Sequence, residues 1–370
     1  MFGHNGGVPD LALMLEDLAT LVNAESPSRD LEALADSAAA VAAVIRNRLG
    51  SAPTLVESAA GPIVYWSGGG DPKVLIVGHH DTVFPRGSLS ERPFTVADGR
   101  ATGPGVFDMK AGIVQAIHGV ASLADFAGVE MLFSPDEETG SLASRDLIEE
   151  RALACSAVLV LEPSADGGAL KTARKGVGTF ELVVHGRAAH AGLEPEKGVN
   201  ALVEAAHQVL AINRLGDPEL GTTVTPTVAT AGTTDNVVPA FARVLIDVRV
   251  QSTAEKHRLE TAMALLTPND PQARIEVTGG INRPPMPASA SEWLFPIAVA
   301  VGSDLGWRVD GVGVGGGSDG NFTAARGVAT LDGLGAVGGG AHADHEYVLI
   351  DTMPGRALLV AGLVRQLQQR

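Results

Sequence analysis

The chain has 370 residues, of which 45% are hydrophobic and 19% are charged, a composition typical of a globular protein long enough for two domains. Its single cysteine, Cys155, excludes intrachain disulfides and cysteine-based zinc clusters, so any metal must be bound by nitrogen and oxygen atoms. A net charge of −16 argues against nucleic-acid binding, and no apolar run reaches the ~18 residues that span a bilayer. Because the N-terminus lacks a secretory signal pattern, we expect a cytoplasmic protein without membrane or nucleic-acid partners.

The N-terminal part of the chain has the pattern of an α/β domain. Two helices are predicted within residues 11–50, and short apolar runs at residues 74–77, 129–133 and 158–161 predict buried strands. A longer helical pattern at residues 113–123 separates the first two of these runs. This arrangement indicates a sheet flanked by helices.

From residue 179 the pattern changes, because apolar and polar residues alternate as they do in half-exposed strands. The predicted order is strand, helix, strand, strand, helix, strand, near residues 179–184, 199–215, 222–230, 241–250, 254–266 and 274–277. This order is typical of a ferredoxin-like α+β sandwich.

Beyond this segment the α/β character returns, with a helix near residues 292–302 and a C-terminal helix from Pro354. We therefore predict one domain formed by residues 1–176 and 286–370, interrupted by an inserted domain of residues 177–285. The two polar crossings between them are expected to act as a hinge.

A histidine and an acid follow the first predicted strand. His79 and Asp81 lie at its carboxyl end, where open α/β sheets bind their ligands. Asp81 can accept a hydrogen bond from one ring nitrogen of His79 and so direct the other nitrogen to a metal. An ordinary polar strand end has the same short pattern, and His80 is a rival imidazole.

Carboxylates occupy three further loops. Asp108 lies in a glycine-rich loop that opens a helix, where it could instead be an N-cap. Glu137 and Glu138 follow the second predicted strand, and Glu162 follows the third. Acids on loops are usually only exposed to solvent. Here, however, three successive predicted strands each end in a histidine or a carboxylate, an arrangement that random placement of charged residues would not favour.

Glycine runs precede the last motifs. His342 follows Gly338–Gly340, with His345 as a rival, and a lone histidine in such a setting is more often part of a surface loop. An earlier run, Gly315–Gly317, indicates another tight loop. Together the motifs supply imidazole nitrogens and carboxylate oxygens, a donor set that suits paired zinc ions bridged by one carboxylate.

These ordered motifs resemble those of the dinuclear-zinc metallopeptidase family of aminoacylase, acetylornithine deacetylase, succinyl-diaminopimelate desuccinylase and carboxypeptidase G, over nearly the whole chain. Residues 198–205 and the Asn-Arg-Pro-Pro segment at 282–285 resemble the glutamate carboxypeptidases most. The resemblance implies a zinc-peptidase domain with a mixed central sheet flanked by helices. It also implies that the inserted ferredoxin-like domain serves as a lid and in dimerisation.

The resemblance further implies two Zn²⁺ ions per subunit, held by His79 and Glu162 on one ion, Glu138 and His342 on the other, and Asp108 as the bridge. Glu137 is then the general base, which takes a proton from the activated water and passes it to the leaving amine. A cis peptide is expected after Asp108. From the residues alone, either Glu137 or Glu138 could bind metal, and the family order assigns the second.

In the inserted domain, His190 matches a histidine that in relatives comes from the partner subunit and helps to hold the oxyanion of the tetrahedral intermediate. This implies a homodimer in which His190 acts in trans, although a solvent-exposed histidine on a hairpin has the same local pattern. Asn236 resembles a further position on the substrate side.

Three more residues are candidates for binding the substrate. Arg283, near the second hinge, matches an arginine that grips a free α-carboxylate in glutamate carboxypeptidases, although a hinge arginine could instead pair with an acid. Lys175 could add positive charge, and the glycine run around Gly316 could offer backbone amides.

The sequence thus predicts a zinc-dependent exopeptidase or amidase that cleaves the bond to the C-terminal residue of an N-acyl amino acid or short peptide. An aminoacylase or N-acyl-diamino-acid deacylase is the alternative, because it shares the zinc chemistry and differs only in the pocket. A non-catalytic binding relative would have lost ligands or the base, all of which are present. The motifs do not specify the leaving amino acid, the acyl group or the native metal.

Overall fold

A computed structural model describes residues 7–370. The helices among these residues are α1 (Leu11–Asn23), α2 (Leu31–Leu49), α3 (Ser88–Glu91), α4 (Ala111–Ala121), α5 (Arg145–Ala154), α6 (Ala201–Asn213), α7 (Thr253–Ala264), α8 (Leu294–Asp304), α9 (Gly320–Ala325) and α10 (Met353–Gln368). None of these described helices combines the length and apolar character needed to cross a membrane.

The strands of the same range are β1 (Thr54–Val56), β2 (Ile63–Ser67), β3 (Val74–His79), β4 (Thr95–Ala97), β5 (Arg100–Thr102), β6 (Val129–Ser134), β7 (Ala157–Val160), β8 (Leu170–Arg174), β9 (Gly176–His185), β10 (Thr223–Ala231), β11 (Phe241–Val250), β12 (Arg274–Arg283), β13 (Gly311–Val314), β14 (Ala329–Leu331), β15 (Gly338–Gly339) and β16 (Tyr347–Leu349).

The chain folds into two compact units. Unit 1 comprises the described residues up to 173 together with residues 286–314 and 318–370. Unit 2 comprises residues 174–285 and the glycine run 315–317. Most of unit 2 is therefore one continuous insertion into the chain of unit 1.

The centre of unit 1 is a six-stranded mixed sheet with the order β1-β2-β6-β3-β7-β14. Strands β6, β3, β7 and β14 run parallel to one another, whereas β1 and β2 are antiparallel to their neighbours. Since parallel strands point in one direction, the carboxyl ends of β3, β6 and β7 lie along the same edge of the sheet.

Side chains of β3 alternate between two apolar layers. Val74 and Ile76 belong to the larger core, which is completed by α1, α2, α4, α8 and α10. Leu75 and Val77 face the other side, where they form a smaller core with Ile148 of α5. Helices thus cover both faces of the sheet, and this is why β3 is a continuous apolar run and not an alternating one.

Unit 2 is a four-stranded antiparallel sheet with the order β10-β11-β9-β12. Helices α6 and α7 bury Ala205, Ile212, Leu259 and Met263 in one core with inward side chains of the strands. The element order and strand order are those of a ferredoxin-like fold, and so the predicted fold class is confirmed for both parts of the chain.

Strand β12 and helix α5 are among the elements that differ from the sequence prediction. Strand β12 continues to Arg283 rather than ending at Val277, because it passes through Gly279 and Gly280, residues that carry no β-strand signal. Its register against β9 shifts between Gly280 and Arg283, as in a β-bulge. Helix α5 was not predicted because it buries only two residues and otherwise consists mainly of charged and exposed side chains.

The contact between α4 and α10 leads to a stability prediction. A Cβ atom on Gly119 would lie 2.4 Å from the carbonyl oxygen of Ala357, so Gly119→Ala should lower the free energy of unfolding by about 1–3 kcal/mol through overpacking. Gly355, also helical, has no atom within 4 Å of such a Cβ, and Gly355→Ala is expected to be neutral or stabilising by up to about 1 kcal/mol. Urea unfolding of both variants measures the difference, and equal effects would contradict this packing argument.

Candidate metal centre

Three parallel strands deliver the candidate ligands to one edge of the sheet. His79 is the last residue of β3, while Glu137 and Glu138 follow β6 and Glu162 follows β7. The Nε2 atom of His79 lies 3.7 Å from an oxygen of Glu162. Residues that are far apart in sequence meet here because the strands that carry them are neighbours in the sheet.

Asp108 lies between two imidazoles. Its Oδ1 atom is 3.3 Å from Nε2 of His79, and its Oδ2 atom is 3.4 Å from Nε2 of His342. The buried Oδ1 atom accepts no hydrogen bond from any described residue. The peptide bond between Asp108 and Met109 is cis, as the family resemblance implies. A carboxylate that faces two imidazoles in this way has the geometry of a bridging ligand.

His342 approaches from the C-terminal part of unit 1. It has a positive φ of 61°, and its Nε2 atom is 3.2 Å from Oε1 of Glu138. The side chain is about half exposed, whereas His79 is buried. His342, rather than its rival His345, therefore contacts the candidate carboxylates Asp108 and Glu138.

These side chains form two overlapping groups of possible ligands. Ligand atoms of His79, Asp108 and Glu138 lie within 4.8 Å of one another, and so do those of His79, Glu137 and Glu162. Buried carboxylates this close repel one another, and divalent cations would remove that repulsion. The nitrogen and oxygen donors fit a pair of such cations. These distances alone do not decide whether Glu137 is a metal ligand or the general base.

The carboxylate of Asp81 is completely buried and organises this edge. It accepts hydrogen bonds from the backbone N–H groups of Glu137 and Glu138 at 3.2 and 3.3 Å, and from the hydroxyl of Ser28 at 2.7 Å. The Nδ1 atom of His79 lies 3.3 Å from this carboxylate but donates at 3.0 Å to the backbone carbonyl of Asp81. Asp81 thus orients His79 chiefly through its main chain, and the contact with the 137–138 loop was not predicted.

His80 faces away from the candidate ligands. Its Nε2 atom donates to the carbonyl oxygen of Pro62 at 3.0 Å, and its Nδ1 atom lies 3.3 Å from the hydroxyl of Ser37. Burial lowers the pKa of His80 to about 4, so this imidazole is neutral at pH 7. His80 is a packed wall residue, in agreement with the choice of His79 as the candidate ligand.

The carboxylates around His79 and His342 favour the protonated, positively charged form of both imidazoles. Burial alone would lower the pKa of His79, but the nearby carboxylates of Asp108 and Asp81 raise it well above its ordinary value. Contacts with Asp108 and Glu138 raise the pKa of His342 to about 10. Burial opposes ionisation of Asp108, yet the two imidazoles hold its pKa below the ordinary value. The pocket is thus built to stabilise positive charge.

Two further carboxylates that the sequence prediction missed hold the loops of this site. Asp319 accepts hydrogen bonds from the hydroxyls of Ser134, at 3.2 Å, and Ser141, which lie on either side of Glu137 and Glu138. Glu346 accepts three backbone N–H groups around Asp108. Neither residue lies at ligand spacing in the sequence, so only its neighbours in the fold reveal its position.

In unit 2, His190 and Asn236 are brought together by backbone pairing. The N–H of Ala191 donates to the carbonyl oxygen of Asn236 at 2.9 Å, and His190 forms a β-bridge with Val237. The exposed ring of His190 accepts backbone N–H groups at Nδ1, which leaves Nε2 as the protonated nitrogen of the neutral ring. Nε2–H is therefore available as a hydrogen-bond donor.

Of the remaining predicted residues, Arg283 and Gly316 lie together at the glycine run of unit 2, whereas Lys175 bonds to a different turn. A Cβ atom on Gly317 would be 3.1 Å from Cδ of Arg283, so this arginine packs directly beside the run. The carbonyl of Gly316 accepts a hydrogen bond from Arg174 at 3.0 Å, a contact that was not predicted. Lys175 donates to the carbonyl of Gly221 at 2.6 Å.

The chain matches a known protein family over most of its length. Residues 75–366 match the model of peptidase family M20/M25/M40. The chain belongs to this peptidase family. It is 34% identical to carboxypeptidase G2 from Pseudomonas sp. (strain RS-16) over 375 aligned residues, which cover 96% of this chain and 89% of that protein.

Solved structures share the fold. The aminopeptidase PepT from Bacillus cereus ATCC 10987 has a TM-score of 0.77 at 20% identity and covers 98% of this chain and 100% of its own. The YXEP protein of Bacillus subtilis, described as a dinuclear metal-binding peptidase from the M20 family, has a TM-score of 0.67 at 16% identity, with coverage of 97% and 99%.

Family membership confirms the sequence-based prediction of a metal-dependent hydrolase of peptide or amide bonds. It also confirms the resemblance on which that prediction depended.

Proposed function

We propose that the chain is a dinuclear zinc carboxypeptidase that hydrolyses the amide bond to the C-terminal residue of an N-acyl amino acid or short peptide. The observation that carries this proposal is the position of Asp108, whose two oxygens face different imidazoles, those of His79 and His342. The identity with carboxypeptidase G2 over 96% of the chain supports the same substrate class.

The proposed ligands are His79 and Glu162 for one ion and Glu138 and His342 for the other, with Asp108 shared. Their mutual distances of 3.2–3.7 Å support this division, because each imidazole contacts Asp108 and one glutamate. When bound, the zinc ions would supply Lewis-acid activation of a water molecule and of the scissile carbonyl.

Glu137 is the proposed general base. Its side chain is largely buried, and its backbone N–H is held by Asp81, which restricts where the carboxylate can point. In this role Glu137 accepts a proton from the attacking water and delivers it to the nitrogen of the leaving amino acid. Asp81 has a different proposed role. Its carboxylate binds the backbone of the loop that carries Glu137, and its main-chain carbonyl orients the ring of His79.

The base assignment predicts different outcomes for two adjacent glutamates. Glu137→Gln should retain two zinc ions per subunit and lose about 10²–10⁴-fold in kcat, because only the proton acceptor is removed. The matched variant Glu138→Gln should lose zinc, because it removes a ligand. Elemental analysis, together with release of glutamate from an N-acyl-glutamate, tests both variants. Loss of zinc from Glu137→Gln would show that Glu137 is a ligand, and undiminished turnover would exclude it as the base.

The proposed carboxylate clamp is Arg283. Its guanidinium can form paired hydrogen bonds to a free α-carboxylate. Arg283 packs beside the Gly315–Gly317 run, whose backbone amides are proposed to contact the substrate around Gly316. Lys175 is proposed to add positive charge, and Asn236 to donate to the scissile region or to the substrate carboxylate. The positive charges of Arg283 and Lys175 suit an anionic substrate, in a chain whose net charge is −16.

The clamp predicts a specific effect on KM. Arg283→Lys keeps the charge but loses the paired donors, so KM for an N-acyl-glutamate should rise about tenfold or more, as expected for loss of a charge-assisted hydrogen bond. Arg274→Lys, an exposed change on the same strand β12, should leave KM unchanged. Steady-state kinetics measure both values, and an unaltered KM for Arg283→Lys would refute the clamp.

A homodimer through unit 2 is also proposed. Strand β10 is an edge strand of the sheet with mostly exposed residues, and such edges are ready to pair with another chain. Helix α6 exposes Leu202, Val203 and Leu210 by 51–58% of their surface. Exposed apolar side chains next to an open sheet edge are typical of an interface. In such a dimer, Nε2–H of His190 would serve the partner's site as an oxyanion donor.

Subunit complementation tests the role of His190. Mixing His190→Ala subunits with Glu137→Gln subunits should restore part of the activity, because the mixed dimer contains one site with an intact base and an intact histidine from the partner. Light scattering establishes the dimer, and activity is compared before and after subunit exchange. A monomer in solution, or no recovery in an exchanged dimer, would contradict action in trans.

A further inference from the structure

Glu346 is brought beside the Asp108 loop by strand pairing. Strand β16 runs antiparallel to β5, with Tyr347 opposite Thr102. Glu346 immediately precedes β16, and the turn that leads to Asp108 immediately follows β5. The two segments are therefore adjacent although 238 residues separate Glu346 from Asp108 along the chain.

The carboxylate of Glu346 is held by backbone groups. It accepts N–H groups from Gly105 at 3.0 Å, Phe107 at 2.7 Å and Asp108 at 2.8 Å, and the residue is 1% exposed. Gly105 has a φ of 71°, a left-handed conformation that turns successive N–H groups toward one point. Burying a carboxylate is unfavourable unless it is fully hydrogen-bonded, so the shape of this loop and the position of Glu346 depend on each other.

Glu346 also lies on the segment that carries His342. That segment turns back on itself through the bonds from Ala343 N–H to Gly340 O, at 2.9 Å, and from Glu346 N–H to Ala343 O, at 3.1 Å. One end of the turn thus presents His342 to Oδ2 of Asp108, and the other end binds the backbone N–H of the same aspartate. Two candidate ligands from distant parts of the sequence are joined by one buried side chain.

We propose that Glu346 is a positioning residue of the metal centre, which sets the distance between Asp108 and His342 by accepting the three N–H groups of the Asp108 loop. It acts through the backbone of Asp108 and not as a ligand. This inference rests on the proposed metal centre. Partners that orient ligands in this way typically contribute about 10–100-fold to metal affinity, which sets the size of the expected effect.

The test compares two buried glutamates that have similar partners. Glu346→Gln replaces one acceptor oxygen by a donor that faces backbone N–H groups. Glu204→Gln is the matched control, because Glu204 is also 1% exposed and accepts the N–H groups of Asn269 and Asp270 within unit 2. Metal-free proteins are titrated with Co²⁺ against a competing chelator, the visible spectrum of bound Co²⁺ is recorded, and thermal unfolding is followed in parallel.

Glu346→Gln is expected to bind Co²⁺ about 10–100-fold more weakly, with a changed spectrum. Glu204→Gln should lose stability only and keep the affinity and spectrum of the wild type. If Glu346→Gln fails to fold, Glu346→Asp, which shortens the reach by one methylene, takes its place with the same expected loss. Wild-type affinity and spectrum in the Glu346 variant overturn this inference alone, whereas a wild-type chain that takes up no metal overturns the proposed metal centre itself.

Discussion

The geometry of the candidate site depends on the hydrogen bonds that the buried carboxylate of Asp81 accepts. It connects the end of β3 with the loop after β6, because it accepts the backbone N–H groups of Glu137 and Glu138 while it lies against the ring of His79. A fully buried charge must be satisfied by hydrogen bonds, and here those bonds come from the segments that carry the candidate ligands. The geometry of the site and the stability of the sheet edge are therefore two results of the same contacts.

Other loops of unit 1 follow the same rule. Glu346 is satisfied by N–H groups of the Asp108 loop, and Asp319 by hydroxyls on both sides of the two adjacent glutamates. Arg356 is the opposite case, because this buried cation donates to the carbonyls of Gly335, Gly333 and Gly168. Gly335 in turn donates its N–H to the carbonyl of Glu162 at 2.9 Å. These contacts constrain the loops, since loss of any partner would leave a buried charge unsatisfied.

Unit 2 supplies its candidate groups by different means. His190 and Asn236 are neighbours through backbone pairing, and Arg283 lies where a bulge ends the regular pairing of β12 with β9. Bulges change the direction of a side chain relative to its strand. The proposed substrate-binding residues of this unit thus lie at irregular backbone. By contrast, four candidate metal ligands lie at the ends of parallel strands whose two faces are covered by helices, namely His79, Glu137, Glu138 and Glu162.

The sequence by itself determined the fold class and the set of candidate ligands. Buried parallel strands are visible as short apolar runs, and the acids and histidines that follow them must meet at one edge because parallel strands share a direction. It did not reveal α5, whose few buried residues leave almost no periodic signal, or the extension of β12 through Gly279 and Gly280.

Only the tertiary structure decided which of two adjacent histidines faces the acids, since His79 and His80 differ by one residue and the environment of each ring is built from distant segments. The same reason applies to Asp81 and Glu346. The spacing from His79 indicated Asp81 in the sequence, but not its contacts with the backbone of Glu137 and Glu138. Those contacts, like the ones of Glu346, are with backbone N–H groups. Every residue except proline has such a group, so no sequence pattern identifies these partners before the chain is folded.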